Sequence, residues 1–480
     1  MGFNQKERKY IAILTEVETR NKIKERNINN SGIFVLHEAY HIKNDPLFGK
    51  NSAVFLFSAD LNFPNKNEIY CQFKNGSFSK TKTELAAPLF VGENKCQWGV
   101  FRGECEINES NNYVKLSGNS ESFVEIPLKK PEMAVNLAVC YGHSFMLDEW
   151  QNLVVAIELY HKFGASIQQL YWRSGGLEIY NLLKTYEKRG FIKLDLFPPI
   201  INEELYNMLG YDVQLEIPTR NYVASINDCL LKYRNAKYVL VIDADELYIP
   251  RLASNIYEEL NYYMLMNPNA NSFLFDRYDA SSIFRRNPLK FDLKEALLSI
   301  TISKKKRTLG KSVIIPKRVK GTHQHFPSYT QKNTEVISIS KKLNYIIHNS
   351  NNELINDNDK IIFNNKEDNT IKHWLSKNRL EEINNSFKKI TQISKSFKKL
   401  NSDNVYRQKI MKCKKDIMER LWKRNDVCIE NYNYCDFKES KESSCIVASS
   451  KFMYHNLNNG LVIFKKLNMN IILSENSCTY

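Results

Sequence analysis

The segment YVLVIDADELYIP, residues 238–250, passes from five apolar or aromatic residues directly into three acidic residues interrupted by one alanine. Residues 238–242 are rich in β-branched side chains and lack polar alternation, which is typical of a strand covered on both faces. Because side chains alternate along a strand, Asp243 and Asp245 are expected to point to the same side where it ends. The segment therefore predicts two converging carboxylates at the carboxyl edge of a buried strand, where open α/β sheets bind ligands.

These two carboxylates are suited to a hard divalent cation. Mg²⁺ or Mn²⁺ binds one or two carboxylates and leaves its remaining positions to water and substrate phosphates. A pair of solvated loop acids produces the same D-x-D pattern. The buried strand before the pattern is the feature that favours metal binding over that alternative.

Composition predicts a large globular protein with anionic partners. A chain of 480 residues is too long for one core, which indicates two or three domains. The net charge of +15, from 68 basic and 53 acidic residues, favours anionic partners. No C2H2 spacing, RNP-type aromatic motif or basic zipper occurs. General solubility and a phosphate-bearing substrate therefore explain the charge, and no nucleic-acid partner is predicted.

The sequence leaves the cellular compartment open. Ten cysteines without a C-x-x-C pair fit either a few lumenal disulfides or reduced, partly buried thiols. No window approaches the roughly 18 apolar residues that a transmembrane helix needs. The first residues also lack the apolar core of a signal peptide. As written, the chain is expected to be soluble.

Four regions with different patterns follow one another along the chain. Residues 1–30 are charged and Asn-rich, which suits a short helix or an arm. Residues 31–130 contain short β-like runs between turn residues, which indicates a small β-rich N-terminal module. Residues 131–335 alternate strand and helix patterns, and residues 336–480 form a polar, partly helical C-terminal region.

The alternating region predicts the fold class. Three apolar strand patterns occur, at residues 134–140, 167–172 and 191–197. Amphipathic helix patterns separate them, and each of these helix patterns ends at a glycine. Asp243 then ends the fourth such strand. Strands that alternate with helices indicate parallel βαβ units, so the predicted fold is α/β with a mostly parallel sheet and flanking helices.

A series of spaced motifs runs through residues 134–327. In chain order they are Glu149-Trp150, Glu158, Gly164-Ala165, Tyr171-Trp172, Tyr186-Glu187 with Gly190, Asn227-Asp228-Cys229, and Asp243-Ala244-Asp245-Glu246 with Pro250. Their order resembles glycosyltransferase family 92. The resemblance implies a GT-A-like fold and inverting transfer of a hexose, galactose in the family, from a UDP-sugar to a glycan or glycoprotein acceptor. It also implies Mn²⁺, with Mg²⁺ as the alternative cation.

The resemblance implies roles for individual residues. Asp245 is expected to hold the metal, with Asp243 at the metal site near the donor ribose or a metal-bound water. Asp228 is expected to meet the nucleotide, with helix capping or solvation as its alternative roles. His323 is the expected third metal ligand. The competing histidines are His325, His348 and His373.

Inverting transfer also needs a base that takes the proton of the acceptor hydroxyl. Asp292 and Glu295 are preferred because the base usually lies on an element after the metal motif in such folds. The sequence leaves three other carboxylates open: Glu246, Asp276 and Asp279.

A GT-A-like fold also predicts where the two substrates bind. The donor's uracil and ribose are expected over the carboxyl ends of the strands at residues 134–140 and 167–172, with the diphosphate near Asp245. The acceptor groove is expected between residues 275–283 and 323–327. Four aromatic residues there are expected either to stack on sugar rings or to belong to the core: Phe275, Tyr278, Phe284 and Phe326.

Two other functions fit part of the pattern. A haloacid-dehalogenase-like phosphatase also places D-x-D at the end of a buried strand and uses Mg²⁺, but a small Thr or Val typically follows its second Asp. Here Glu246 follows. A non-catalytic binding protein with a GT-A-like fold is the other alternative.

Membrane association and location come only from the resemblance. Family members resemble single-pass Golgi-type membrane proteins, which implies the Golgi or another secretory-pathway membrane. No apolar anchor of this kind stands near the start of this sequence, so the expectation is either a sequence truncated at its start or a soluble or retained paralogue.

Overall fold

A computed structural model of the chain describes residues 32–72, 77–89, 93–107, 112–118, 122–361, 370–419, 423, 428, 435, 444–457, 460–474 and 478. The predicted arm, residues 1–30, lies outside these ranges. Strands and helices of the described residues are numbered below in chain order.

The first strands belong to the N-terminal region. They are β1 Ile33–Asp45, β2 Gly49–Asp60, β3 Tyr70–Gln72, β4 Phe78–Lys80, β5 Lys82–Leu85, β6 Trp98–Glu106, β7 Tyr113–Ser117 and β8 Phe123–Pro127. The middle strands are β9 Leu137–His143, β10 Ile167–Trp172, β11 Ser174–Gly176, β12 Lys193–Leu196, β13 Tyr238–Ile242, β14 Glu246–Leu247, β15 Ala270–Phe275, β16 Arg277–Arg285, β17 Thr301–Lys306, β18 Lys311–Ile314, β19 Val319–Thr322 and β20 Pro327–Thr330. The last strands are β21 Glu335–Ile339, β22 Ile346–Ile355, β23 Cys445–Asn456 and β24 Val462–Leu473.

The α-helices of the same residues lie mostly in the middle of the chain. They are α1 Phe63–Lys66, α2 Trp150–Lys162, α3 Leu177–Lys188, α4 Glu203–Leu209, α5 Tyr222–Lys232, α6 Ile256–Met266, α7 Leu293–Leu298, α8 Lys377–Ile393 and α9 Val405–Cys413. None of them combines the length and the apolar character needed to span a bilayer.

The central sheet has the strand order β12-β10-β9-β13-β18-β15-β21. Its first four strands are parallel, and helices α2, α3 and α5 lie between them in the sequence. β18 runs antiparallel to both of its neighbours. The sheet is therefore mixed, and the predicted α/β class is confirmed. All residues of β13 are buried, as the apolar run at its sequence position predicts.

The N-terminal strands form sheets separate from the central one. One four-stranded sheet has the order β4-β3-β7-β8, and a seven-stranded sheet has the order β11-β23-β24-β1-β2-β6-β5. The larger sheet thus includes β11 from the alternating region and a hairpin from the C-terminal region. The predicted domain boundaries near residues 130 and 335 stay predictions.

The prediction of a helical C-terminal extension is only partly right. Ile371, Leu375, Leu380 and Ile383 are buried, and α8 packs against α2 and α7. However, β21 joins the central sheet, and the hairpin β23–β24 joins the N-terminal sheet. The polar composition hides these strands, because their stability comes from backbone pairing that a local sequence pattern does not show: β21 pairs with β15, β24 with β1 and β23 with β11.

All ten cysteines form disulfides, and none in the described residues is free. The pairs are Cys71–Cys105, Cys96–Cys428, Cys140–Cys229, Cys413–Cys435 and Cys445–Cys478. Cys140 lies on β9 and Cys229 on α5, so this disulfide joins the central sheet to the helix that precedes β13.

A buried ion pair joins the N-terminal sheet to the same helix. The guanidinium of Arg234, just after α5, donates two hydrogen bonds of 2.8 Å to the carboxylate of Asp45 at the end of β1. Both side chains are completely buried. A bidentate pair of this kind fixes orientation as well as distance. It therefore fixes α5 relative to the N-terminal sheet.

Glu158 on α2 provides a test of the buried core. Burial raises the pKa of Glu158 to about 7, despite hydrogen bonds from Ser386 and Tyr186. The folded state therefore binds this proton more tightly than the unfolded state, so stability falls as pH rises from the unfolded pKa to about 7. We expect Glu158→Gln, which keeps an acceptor for Tyr186, to match wild type near pH 5. At pH 8 it should gain on the order of 1 to 3 kcal/mol in unfolding free energy.

Urea unfolding at the two pH values measures this difference. The control is Glu353→Gln, which changes an exposed glutamate of β22. An equal effect of the two substitutions at pH 8 would contradict the assignment of a buried, protonated Glu158.

Candidate functional site

The acidic segment crosses from one sheet to another. β13 ends at Ile242, a turn follows, and β14 pairs with β22 in a four-stranded sheet of order β14-β22-β16-β17. The amide of Glu246 donates to the carbonyl of Asp243 at 3.0 Å, which closes the turn. Strand alternation therefore does not extend through Asp243 and Asp245, and the two carboxylates have different partners.

Asp243 is enclosed by a lysine and a tyrosine. The amino group of Lys311, the first residue of β18, donates to Oδ2 of Asp243 at 2.6 Å and lies 3.0 Å from Oε2 of Glu246. The hydroxyl of Tyr222 on α5 donates to Oδ1 of Asp243 at 2.6 Å. Arg277 pairs with the other oxygen of Glu246 at 2.5 Å. Two cations therefore balance two carboxylates where β13 ends.

These contacts set the protonation of the cluster. Burial would raise the pKa of Asp243, but the charge and hydrogen bond of Lys311 hold it well below its usual value. Burial raises the pKa of Glu246, and Lys311 opposes that rise. Lys311 and the side chain of Glu246 are completely buried. Asp243 is consequently ionised at neutral pH.

Asp245 faces His348, and the carboxylate of Asp279 contacts the other side of the same ring. Nε2 of His348, on β22, lies 3.5 Å from Oδ2 of Asp245, and Nδ1 of the same ring lies 3.1 Å from Oδ1 of Asp279 on β16. The amide of Asn349 donates to the carbonyl of Asp245 at 2.7 Å. Burial would lower the pKa of His348, but Asp245 and the other carboxylates raise it. Adjacent residues of β22 thus hold both the side chain and the backbone of Asp245.

The fit of this site to a divalent cation rests on two residues. Among the described residues, no group of three or more His, Cys, Asp or Glu side chains is arranged to hold a metal. Asp245 and His348 fit best, because a ligating histidine usually has its other ring nitrogen held by a carboxylate, as Asp279 does here. Mg²⁺ and Mn²⁺ accept one or two protein ligands when phosphate and water complete their coordination.

The other candidate histidines have different partners from His348. Nε2 of His323 is 3.4 Å from Oε1 of Glu93. His325 contacts the carbonyl of Gly310 at 2.8 Å, and burial together with Lys311 lowers its pKa to about 3. His373 is exposed. Of the four histidines singled out from sequence, the structure brings His348 to Asp245.

The structure does not bring Asp292 and Glu295 to Asp245. Asp292 caps α7 by accepting from the amide of Glu295 at 2.9 Å, and Glu295 pairs with Arg285 at 3.0 Å. Arg285 and Asp279 both lie on β16, six residues apart (285 − 279). At about 3.3 Å per residue this separation is about 20 Å. Both carboxylates instead line a separate cleft of about 580 Å³.

Asp228 connects three parts of the molecule. Its two oxygens accept from the hydroxyls of Tyr40 on β1 and Tyr171 on β10, at 2.7 and 2.6 Å. It lies inside α5 and is buried, so neither capping nor solvation describes it. The expected nucleotide contact stays a prediction, and the observed role is to join the N-terminal sheet to the central sheet.

Residues at the carboxyl ends of β9 and β10 are packed under other elements. The ring of His143 stacks on the ring of Phe197, with 5.1 Å between the ring centroids. The amino group of Lys466, on β24, lies 5.0 Å from the centroid of the Phe197 ring. Thr219, Arg220 and Asn221 have φ angles of 46°, 54° and 73° immediately before α5. Consecutive left-handed residues other than glycine are strained, and such strain concentrates at functional sites.

The expected acceptor aromatics divide into two groups. Phe275 and Phe284 are 0% and 1% exposed and belong to the core. Tyr278 and Phe326 are half-buried, and Tyr278 packs against Tyr345.

Sequence reasoning assigned no role to Lys311 or Arg407. Lys311 begins β18, but no local pattern pairs a lysine with distant carboxylates. Glu149 stands out in the sequence only as part of a motif. The structure places Glu149 next to Arg407. Burial would raise the pKa of Asp245, but His348 and, more weakly, Arg407 hold it below its usual value.

Fold and site together define a mixed α/β protein whose acidic site lies at the carboxyl edge of parallel strands. The family model for glycosyltransferase family 92 matches residues 135–421, which is more than half of the chain. The chain therefore belongs to glycosyltransferase family 92.

Several proteins of Caenorhabditis elegans are similar to the chain. Glycosyltransferase family 92 protein F13G3.3 is 27% identical over 67% of this chain and 63% of its own length. Glycosyltransferase family 92 protein C33H5.2 is 23% identical over 86% of this chain and 83% of its own length. The chain thus spans less than two thirds of F13G3.3.

Lys311→Met tests the buried cluster. It leaves Asp243 and Glu246 without their shared cation, so we expect the free energy of unfolding to fall by about 3 to 5 kcal/mol. Lys306→Met is the control, because its pair with Asp276 is largely exposed and should cost less than about 1 kcal/mol. Denaturant unfolding compares the two variants. Equal losses would show that the buried lysine does not balance these carboxylates.

Proposed function

We propose that the chain transfers a hexose, galactose by family resemblance, from a UDP-sugar to a glycan or glycoprotein acceptor. The transfer proceeds with inversion and depends on Mn²⁺ or Mg²⁺. The observation that carries this proposal is the arrangement of Asp245, His348 and Asp279 beside the ionised Asp243. Family membership supports the transfer of a sugar, and the position after the fourth parallel strand supports a GT-A-like fold.

The proposal assigns a task to each residue of the site. Asp245 and His348 hold the cation, and Asp279 fixes the tautomer and the orientation of His348. The bound cation supplies Lewis-acid stabilisation of charge on the departing diphosphate. Asp243 accepts a hydrogen bond from the donor ribose or a bound water. Lys311 keeps Asp243 ionised, so this acceptor needs no proton release during binding.

The proposed site differs from the sequence-based expectations in its histidine ligand and in its base. His348 takes the ligand role expected of His323, because His348 is the histidine that faces Asp245. The base is not placed on Asp292 or Glu295, because Arg285, which pairs with Glu295, lies about 20 Å along β16 from Asp279 at the cation site. Glu246, Asp276 and Asp279 remain the candidate carboxylates that take the proton of the acceptor hydroxyl. Membership of the glycosyltransferase family also replaces the phosphatase alternative.

The disulfides support a secretory-pathway location. Disulfides persist in oxidising compartments and are rare in the cytosol. Five pairs that use all ten cysteines therefore favour a lumenal environment. The Golgi and membrane association remain inferences from the family resemblance.

Thiol titration of the protein made in a secretory host tests this location. We expect no titratable thiol after denaturation without reductant, because all ten cysteines are paired. Peptide mapping without reduction should return the five pairs. Several reduced cysteines in secreted protein, with the fold intact, would contradict the lumenal assignment.

Substitutions at the cation site test the proposed activity. Asp245→Asn removes one of two protein ligands, which should lower transfer from UDP-galactose roughly a hundredfold, or about 3 kcal/mol in activation free energy. Mn²⁺-dependent UDP binding, measured by calorimetry, should weaken in parallel. Equal activity of wild type and Asp245→Asn at saturating Mn²⁺ would refute the proposal.

A comparison of His348→Ala with His323→Ala separates the two candidate ligands. We expect the larger loss of Mn²⁺-dependent UDP binding in His348→Ala. A larger loss in His323→Ala would return the ligand role to His323.

A wild-type protein that binds UDP-galactose without transferring it to any acceptor or to water would favour the non-catalytic binding alternative.

A further inference from the structure

Helix α9, from the C-terminal region, begins against the candidate site. Its N-cap residue, Asn404, makes no side-chain capping bond. Instead the carboxylate of Asp148 accepts from the amides of Tyr406 and Arg407 at 2.5 and 3.2 Å. Asp148 thus caps the first turn of α9 from a distant part of the chain. A helix outside the alternating region is therefore anchored to the loop that follows β9.

Arg407 reaches from this first turn to two other elements. Its NH1 group donates to Oε2 of Glu149, and its NH2 group donates to the carbonyl of Ser350. Glu149 precedes α2, and Ser350 lies in β22. The planar guanidinium holds its donors in a fixed fork, so both acceptors are set relative to each other.

Ser350 belongs to the part of β22 that contacts Asp245. His348 faces the Asp245 side chain, and the amide of Asn349 donates to the Asp245 carbonyl. Arg407 therefore anchors the backbone immediately after both contacts. A shift of β22 at Ser350 would alter the distance between the His348 ring and the Asp245 carboxylate.

Amide side chains extend this connection on the Glu149 side. Oε1 of Glu149 accepts from Asn152 at 3.0 Å and from Asn352 at 2.6 Å. Asn349 donates to Asn152 and to Ser282, each at 2.9 Å, and Ser282 donates to Asn352 at 2.6 Å. These bonds form a closed ring between α2, β16 and β22. Arg407 is the charged partner that balances the buried carboxylate of this ring.

We propose that α9 is part of the active site and that Arg407 is a positioning residue, which fixes β22 so that His348 faces Asp245. The effect of Arg407 on sugar transfer rests on the proposed function. Its effect on the position of β22 does not. The two are therefore measured separately.

Hydrogen–deuterium exchange of the full chain measures the position of β22. Arg407→Met removes the fork, and we expect the amide of Asn349 to exchange about tenfold faster, because its bond to Asp245 is then less well held. Arg286→Met is the matched control. Arg286 pairs with Asp403 in the same C-terminal segment, and that side-chain pair is about half exposed. Arg286 bonds to Ile355 of β22 through its backbone amide, which the substitution keeps. Exchange at Asn349 should be unchanged in the control.

The same variants are then assayed with Mn²⁺ alone and with UDP-galactose. Arg407→Met should bind Mn²⁺ about tenfold more weakly and lower kcat by about tenfold or more, with the acceptor KM unchanged. Arg407→Lys retains the charge without the fork and should lie between wild type and Arg407→Met. It also serves if Arg407→Met fails to fold.

The outcomes separate the two hypotheses. Faster exchange at Asn349 in a protein whose wild type neither binds Mn²⁺ nor transfers sugar supports the positioning of β22 and refutes the proposed function. Unchanged exchange and unchanged Mn²⁺ affinity in Arg407→Met overturn the positioning role. Equal effects of Arg407→Met and Arg286→Met also overturn it, because both would then report only the anchoring of the C-terminal segment.

Discussion

The ion cluster around Lys311 is the interaction on which the site depends. Two carboxylates next to each other at the end of a buried strand would repel, and burial alone favours their neutral forms. Lys311 contacts both Asp243 and Glu246 from the antiparallel neighbour of β13, and Arg277 balances the remaining charge. The antiparallel strand β18 therefore has an electrostatic function as well as a place in the sheet. It brings the cation that keeps Asp243 ionised.

The acidic turn also marks the point where two sheets meet. β13 belongs to the central sheet and β14 to the four-stranded sheet that carries Asp279 and His348. Tyr222 and Lys311 bind Asp243 on the side of the central sheet. Strand β22 binds Asp245 on the side of the four-stranded sheet. A change in the relative position of the sheets would therefore change the distance between the two carboxylates.

Distant parts of the chain fix that relative position. Asp45 and Arg234 join the N-terminal sheet to the end of α5, and Asp228 joins β1 to β10 through two tyrosine hydroxyls. Arg407 joins the C-terminal region to β22 and Glu149. Each link is a charged group with hydrogen bonds to more than one element, and most of them are buried. Such groups hold elements in one orientation more strictly than apolar contacts do.

Local patterns in the sequence predict the parallel strands, the helices between them and the acidic residues after the fourth strand, but not the turn that gives Asp243 and Asp245 different partners. Those features follow from periodicity and strand burial, which are local properties of the chain. Its motifs also indicated the family. Which distant residues meet follows only from the tertiary structure. It places His348 rather than His323 opposite Asp245 and pairs Lys311 with Asp243. It also puts Asp292 far from Asp243 and Asp245. Strands β18, β21 and β22 enter their sheets through backbone pairing with distant segments, and no local pattern encodes which polar side chains then meet.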